Sequence, residues 1–206
     1  MTDAHDRCPW CGTDPLYVAY HDQEWGVPER DSRNLWELLM LEAFQAGLSW
    51  ITILRKREGF RRAFAGFDPV VIARWGEQDV LRLLADPGIV RHRGKIEATV
   101  RAAQGWLRIE ARQGFSPFLW QLVNGRTLQG GLRQMADAQT STPASAAMAK
   151  ALKGEGFGFC GPTITHAFMQ AAGMVNDHLI SCPRHAAIAA MGEGGGEGGG
   201  GGGGGA

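Results

Sequence analysis

Apolar residues recur three and four positions apart along most of this chain, the spacing of one face of an α-helix, and no run alternates convincingly with period two. "SRNLWELLMLEAFQAG" starts at a capping residue, Asp31 or Ser32, and stops at Gly47. "SWITILRKREGFRRAFAGF" restarts behind Ser49, and "DPVVIARW" carries Pro69 in a first-turn position. "EQDVLRLLAD" runs to the turn pair Pro87-Gly88, and "RHRGKIEATVRAAQGWLRIEARQG" reads as helix to about Gln113. "SPFLWQLVNG" is a short helix, "TPASAAMAKALKGEG" has Thr142 as its cap, and "GPTITHAFMQAAGMVNDH" opens at Pro162 and ends at Gly173. There are no internal repeats. The expectation is an all-α chain of about eight to ten short helices.

One helix carries a charge on its apolar side. Leu35, Leu38, Leu39, Glu42 and Ala46 fall on a single face, so Glu42 points where the leucines point. Two readings are open. The carboxylate is satisfied locally by backbone or an arginine, as many buried carboxylates are. Alternatively it sits at the bottom of an apolar pocket and recognises a donor or a cation.

Composition narrows the class. With 206 residues, 44% hydrophobic and 20% charged, the chain can bury a sizeable core as one domain or two small ones. The 21 basic and 21 acidic residues cancel, so affinity for a polyanion has to come from local patches. No signal-peptide pattern and no apolar run of about 18 residues is visible, and a soluble cytoplasmic protein without a membrane partner is expected. From Gly192 the chain reads "GEGGGEGGGGGGGGA", which offers no side chains for a core. We therefore divide it into a helical domain, residues 1–190, and a disordered Gly-rich tail, residues 191–206.

Four cysteines in such a chain suit metal binding or burial better than disulfides. Cys8, Cys11 and His21 lie near one end; His178, Cys182 and His185 lie near the other. His178 and Cys182, together with Cys8 and His21, would complete the Cys2His2 set that tetrahedral zinc prefers. Four protein ligands leave no open position, so such a site would be structural. Spacing alone leaves Cys11 and His185 as competing ligands. A redox reading of Cys8-x2-Cys11 lacks the strand and helix that chemistry needs, and the order and spacing of a zinc deaminase are absent.

"DPGIVRHRGKIEA" reads as helix end, tight turn and helix start. A helix N-terminus can hold a phosphate on its free N–H groups, with Arg91, Arg93 and Lys95 adding mobile charge. It can equally be a plain helical hairpin with a solvated basic face.

"DPLYVAYHDQEWGVP", "LEAFQAGLSWITILRKRE", "GIVRHRGKIEA" and "MQAAGMVNDH" together resemble the bacterial 3-methyladenine DNA glycosylase I family, from about Cys8 to Cys182. The resemblance implies an all-α, helix-hairpin-helix DNA glycosylase fold with a structural zinc site joining the N- and C-terminal segments. It places the single Zn²⁺ on Cys8, His21, His178 and Cys182. It assigns Glu42 and Tyr20 to the chemistry and a base-binding pocket to Trp50, Tyr17, Trp25, Glu42 and Tyr20. Gly88, Arg91, Arg93 and Lys95 become the DNA-anchoring hairpin, and Leu48 the side chain that plugs the gap left by a flipped base. The implied activity is hydrolytic excision of 3-methyladenine from alkylated double-stranded DNA, with the free base as product, by a monomer in the bacterial cytoplasm associated with the nucleoid through DNA. Helix-hairpin-helix glycosylases usually carry an Asp downstream of the hairpin; here none occurs between Gly88 and Ala136, and Asp137 reads as a turn residue.

Overall fold

The computed structural model describes residues 7–193. Among them the chain is mostly helical. Helix α1 (Pro15–Gln23) is started by Asp14, whose carboxylate accepts from the Leu16 and Tyr17 amides. Helix α2 (Ser32–Gln45) is started in the same way by Asp31. Then follow α3 (Trp50–Ala63), α4 (Pro69–Ile72), α5 (Glu77–Ala85), α6 (Arg93–Gln113), α7 (Phe115–Trp120), α8 (Pro143–Gly154), α9 (Pro162–Ala171) and α10 (Pro183–Glu193). Proline opens five of them, where its missing N–H costs nothing.

Helix α2 runs through the middle and packs on α3, α6, α7 and α9. Its apolar residues are accordingly covered on nearly every side, with Leu35, Trp36, Leu39, Met40 and Phe44 all fully buried. The surrounding core is rich in aromatic rings, including the run Phe60, Phe64 and Phe67 at the end of α3 and just after it.

Three features depart from the sequence expectation. Helix α1 and helix α10 lie in segments with no assigned helix, and α10 runs past the boundary set at residue 190. The rest of the glycine tail lies outside the described residues. The chain also contains one strand pair, β1 (Leu128–Gln129) parallel to β2 (Val175–Asn176), too short to leave a period-two signature.

The turn between α5 and α6 is held from three directions. Asp86 Oδ1 accepts from the Gly88 amide at 2.7 Å. Ile89 is buried in the core, and His92 Nδ1 caps α6 by accepting from the Lys95 amide at 3.2 Å. The turn also lies directly on the backbone of α3 at Gly59: a Cβ built there would collide with the Gly88 carbonyl oxygen. Gly59→Ala should therefore push the turn away and cost about 1–3 kcal/mol. A melting curve several degrees lower with unchanged metal content is the expected result; an unchanged curve would show that the contact is slack.

Candidate functional site

The N-terminal arm, α1, α2, the start of α3, α9 and the segment 132–140 enclose a cavity of about 350 Å³. One side is aromatic: Trp10, Tyr17, Tyr20, Trp25 and Trp50 line it. Trp10 braces the group, its ring 5.0 Å from Tyr17 and 4.9 Å from Trp25, both edge-on. Tyr20 in turn lies 5.4 Å from Trp50. Glu42 and Gln45, one turn apart on α2, provide polar groups, and His166, Gln170 and Asp177 provide others.

Several polar atoms of the residues lining this cavity are idle. Trp10 Nε1, Tyr20 Oη, Glu42 Oε2, Gln45 Oε1, Trp50 Nε1 and both ring nitrogens of His166 are buried without a hydrogen-bond partner among the described residues. Leaving so many groups unpaired is costly unless something else pairs them. A flat ligand with aromatic faces and polar edges would satisfy both the rings and the unpaired atoms.

Glu42 is 3% exposed, and burial pushes its carboxyl up to about 8. Near pH 7 it is therefore mostly a neutral acid, and a positively charged guest would favour its ionised form, the proton passing to solvent. Tyr20 is held well above the usual phenol range, first by burial and then by Glu42. Tyr17 is shifted upward for the same two reasons.

A second cluster joins the chain ends. Ligand atoms of Cys8, His21, His178 and Cys182 all lie within 4.8 Å of one another, and all four residues are buried. Cys8 Sγ is 3.6 Å from His178 Nδ1; Cys182 Sγ is 3.7 Å from His21 Nε2 and 3.8 Å from His178 Nδ1. Zn–S and Zn–N bonds of about 2.0–2.3 Å require tetrahedral edges of roughly 3.3–3.8 Å, so the donor set fits such an ion. The remaining imidazole nitrogens are already anchored. His21 Nδ1 meets Asp22 Oδ1 at 2.8 Å, and His178 Nε2 meets the Trp25 carbonyl at 3.1 Å. Asp22 is itself held by Arg7. The Cys182 thiol is driven strongly toward thiolate by the donors around it, Cys8 first, while the hydrogen bond to Cys182 drives Cys8 the other way. Cys11 and His185 are not part of the cluster; the Cys11 thiol donates to the Cys8 carbonyl instead.

The hairpin residues fare differently. Arg91 is exposed. Arg93 is engaged by Glu77 and Glu97. The Gly88 amide is taken by Asp86. Lys95 is not the mobile charge that its position beside two arginines suggested. Its side chain is buried, and Nζ donates to the carbonyls of Phe44 and Ala46 at 2.8 and 2.6 Å. It closes the C-terminal end of α2, where orphan carbonyls attract a cation. The loop that follows turns at Gly47 (φ +82°) and leaves Leu48 43% exposed. Asp137 lies at the surface and accepts from the Arg133 and Gln134 amides, which is the turn role expected for it.

Trp10, Gln45, His166, Gln170 and Asp177 were not foreseen at the cavity. Gln45 had a signal, one helical turn from Glu42. Asp177 stands next to His178 of the Cys/His cluster in "VNDH" and is tied to Gln170 at 2.7 Å, with His166 Nε2 3.4 Å away.

The chain as a whole is similar to known proteins. The profile of the family described as "Methyladenine glycosylase" matches residues 10–185. DNA-3-methyladenine glycosylase 1 of Escherichia coli is 51% identical over 178 residues, covering 86% of this chain and 95% of the relative. DNA-3-methyladenine glycosylase of Haemophilus influenzae is 46% identical over 178 residues, covering 86% and 96%. A crystal structure of a 3-methyladenine DNA glycosylase I superposes with a TM-score of 0.85 at 53% identity, over 86% of this chain and 98% of the other. The Staphylococcus aureus enzyme, solved to explain its recognition of 3-methyladenine, superposes with a TM-score of 0.84 at 43% identity, over 88% and 97%.

Proposed function

The chain belongs to the methyladenine glycosylase family, and from that premise we propose that the cavity takes up a flipped 3-methyladenine nucleotide for hydrolysis of its N-glycosidic bond. The protein is a DNA-3-methyladenine glycosylase. The observation that carries the assignment of the site is the coincidence, in one cavity, of an aromatic wall with unpaired polar atoms and a buried acid.

Methylation at N3 makes the nucleobase a delocalised cation while it is attached to the sugar. Its bond to C1′ is already weak, because the electron pair of that bond leaves on N9 and the base departs neutral. A water molecule adds to C1′ and loses a proton, leaving an abasic site. The protein therefore needs to extract, recognise and hold the base rather than activate a poor leaving group. Trp50 and Tyr20 offer ring faces for stacking and for cation–π attraction. Glu42 favours the cation electrostatically and accepts from an exocyclic amine, and Tyr20 Oη supplies a further polar contact. Tyr17 and Trp25 close the wall. Leu48 fills the vacated position in the duplex, and the α5–α6 hairpin with Arg91 anchors the backbone in the manner of a helix-hairpin-helix motif.

Cys8, His21, His178 and Cys182 would hold one Zn²⁺ with no open position. When bound, the ion supplies structure by tying the arm that carries Trp10 and α1 to the segment around His178. We read the protein as a monofunctional enzyme acting as a monomer on double-stranded DNA.

Base release from methylated duplexes under single turnover tests the reading. The wild type should free 3-methyladenine and refuse hypoxanthine, a neutral lesion that needs an activated leaving group. Trp50→Ala should weaken binding of free 3-methyladenine by about 1–3 kcal/mol, the scale of a lost base stack, as read by calorimetry. Hypoxanthine release at a comparable rate would reveal a catalytic acid outside this scheme, and unaltered binding in Trp50→Ala would move the pocket elsewhere.

A further inference from the structure

Two phenylalanines in this fold have left-handed backbone, which costs a non-glycine residue about 1–2 kcal/mol. They differ in what offsets the strain. Phe67 (φ +52°) is 1% exposed, stacks on Phe64 with ring centres 5.7 Å apart, and lends its carbonyl to Trp36 Nε1 at 3.0 Å. Core packing accounts for it. Phe159 (φ +57°) keeps its ring 40% exposed, so burial offsets little. An asparagine or glycine would adopt the same backbone with less strain.

The loop around Phe159 is anchored on both sides. Phe157 is buried against Phe115, with rings 5.8 Å apart. A Cβ at Gly158 would lie 3.0 Å from the Ala98 Cβ, so this backbone is seated on α6. Cys160 is buried, its thiol on the Gly158 carbonyl and its own carbonyl accepting from Thr165 Oγ1. Between these anchors Phe159 emerges over the first turn of α6, 5.7 Å from the His92 ring and 5.9 Å from Lys95 Nζ. Lys95 is the residue that also grips the end of α2, just before exposed Leu48. Phe159 thus sits by His92, which follows exposed Arg91 in the hairpin, and by Lys95, whose grip on Ala46 lies two residues before Leu48.

We propose that Phe159 is a DNA-contact residue, its ring laid against the sugar and base edges of the duplex beside the hairpin, an apolar contact separate from the cavity and from any phosphate. This rests on the glycosylase reading above. The occupant is duplex DNA because the strip pairs an exposed arginine, suited to phosphate, with two exposed apolar side chains, Leu48 and Phe159, which suit groove edges. The strained backbone is then retained because it projects the ring.

The test compares the full-length wild type, Phe159→Asn and Phe159→Trp on a duplex carrying a tetrahydrofuran abasic-site analogue, over a range of salt. Phe159→Asn should bind this duplex on the order of tenfold more weakly. The slope of log Kd against log salt should not change, because no phosphate contact is lost. Arg91→Ala, by contrast, should lower that slope by about one. The melting temperature of Phe159→Asn should equal or exceed that of the wild type, free 3-methyladenine should bind as before, and Phe159→Trp should restore duplex affinity. Unchanged duplex affinity in Phe159→Asn overturns the proposal. So does a joint fall in stability, base binding and duplex binding, which would mark a packing residue. A wild type that binds no duplex sinks the glycosylase reading first, and a loss confined to the variant speaks for the ring alone.

Discussion

Cys8→Ser should emerge from purification without its metal and melt on the order of 10 °C below the wild type. Cys8 is fully buried, lies 3.6 Å from His178 Nδ1, and takes the Leu179 amide on its sulfur at 3.4 Å. Serine is shorter and a poor zinc ligand, so three ligands would remain around an ion that needs four. Metal binding in such a cluster is folding free energy. A loss of about 4 kcal/mol would shift Tm by roughly 8–16 °C in a chain of this size. The damage should reach the cavity next, since Trp10 sits two residues from Cys8 and braces Tyr17, Tyr20 and Trp25. Free-base affinity should therefore fall with metal content, although none of the four cluster residues lines the cavity. Cys11→Ser is the control. Its thiol lies outside the cluster, so elemental analysis should find the metal retained. Full retention in Cys8→Ser would sink the ligand assignment.

The helices were legible where one face meets the core and the other meets water. Helix α6 is such a case, and its observed end at Gln113 is where the pattern stops. Helix α1 is different. Its Tyr17 and Tyr20 face a cavity and His21 faces the cluster, so apolar and polar residues do not segregate and the helical period is hidden. Helix α10 is hidden by its run of alanines and a glycine boundary. Glu42 was conspicuous because a charge on an apolar face breaks a local rule, and such breaks tend to mark function. Lys95 was misread for the converse reason. A lysine in a basic run looks solvated, and only tertiary structure shows the end of α2 within its reach. The partnership of His166, Gln170 and Asp177 with the cavity depends on how α9 and the segment after it pack, which spacing along the chain does not record.

Glu42→Gln should be more stable than the wild type at neutral pH and worse at its task. Burial raises the Glu42 carboxyl from 4.5 to about 8, and Oε2 has no partner among the described residues. A carboxyl whose folded pKa lies above its unfolded value takes up a proton on folding. Its contribution is neutral below about pH 4.5, becomes progressively unfavourable as pH rises from there to about 8, and is constant above. At pH 7 the penalty is on the order of 3 kcal/mol. Glutamine keeps the shape without that penalty. Melting curves of the two proteins should coincide near pH 4.5 and separate as pH rises, the variant melting higher. Excision should show the opposite preference. A cationic base favours the ionised form of Glu42, whose proton passes to solvent, and makes a charge pair with it in a dry cavity, which an amide cannot do. Excision by the wild type at sub-saturating enzyme, which reports the free protein, should rise with pH as Glu42 ionises, levelling near 8. In the variant it should fall by at least tenfold at pH 8, about 1.4 kcal/mol, and lose that pH dependence. Equal rates with equal pH profiles would mean that the carboxylate never meets the base; an equal rate with a stability gain would make Glu42 an unused buried acid.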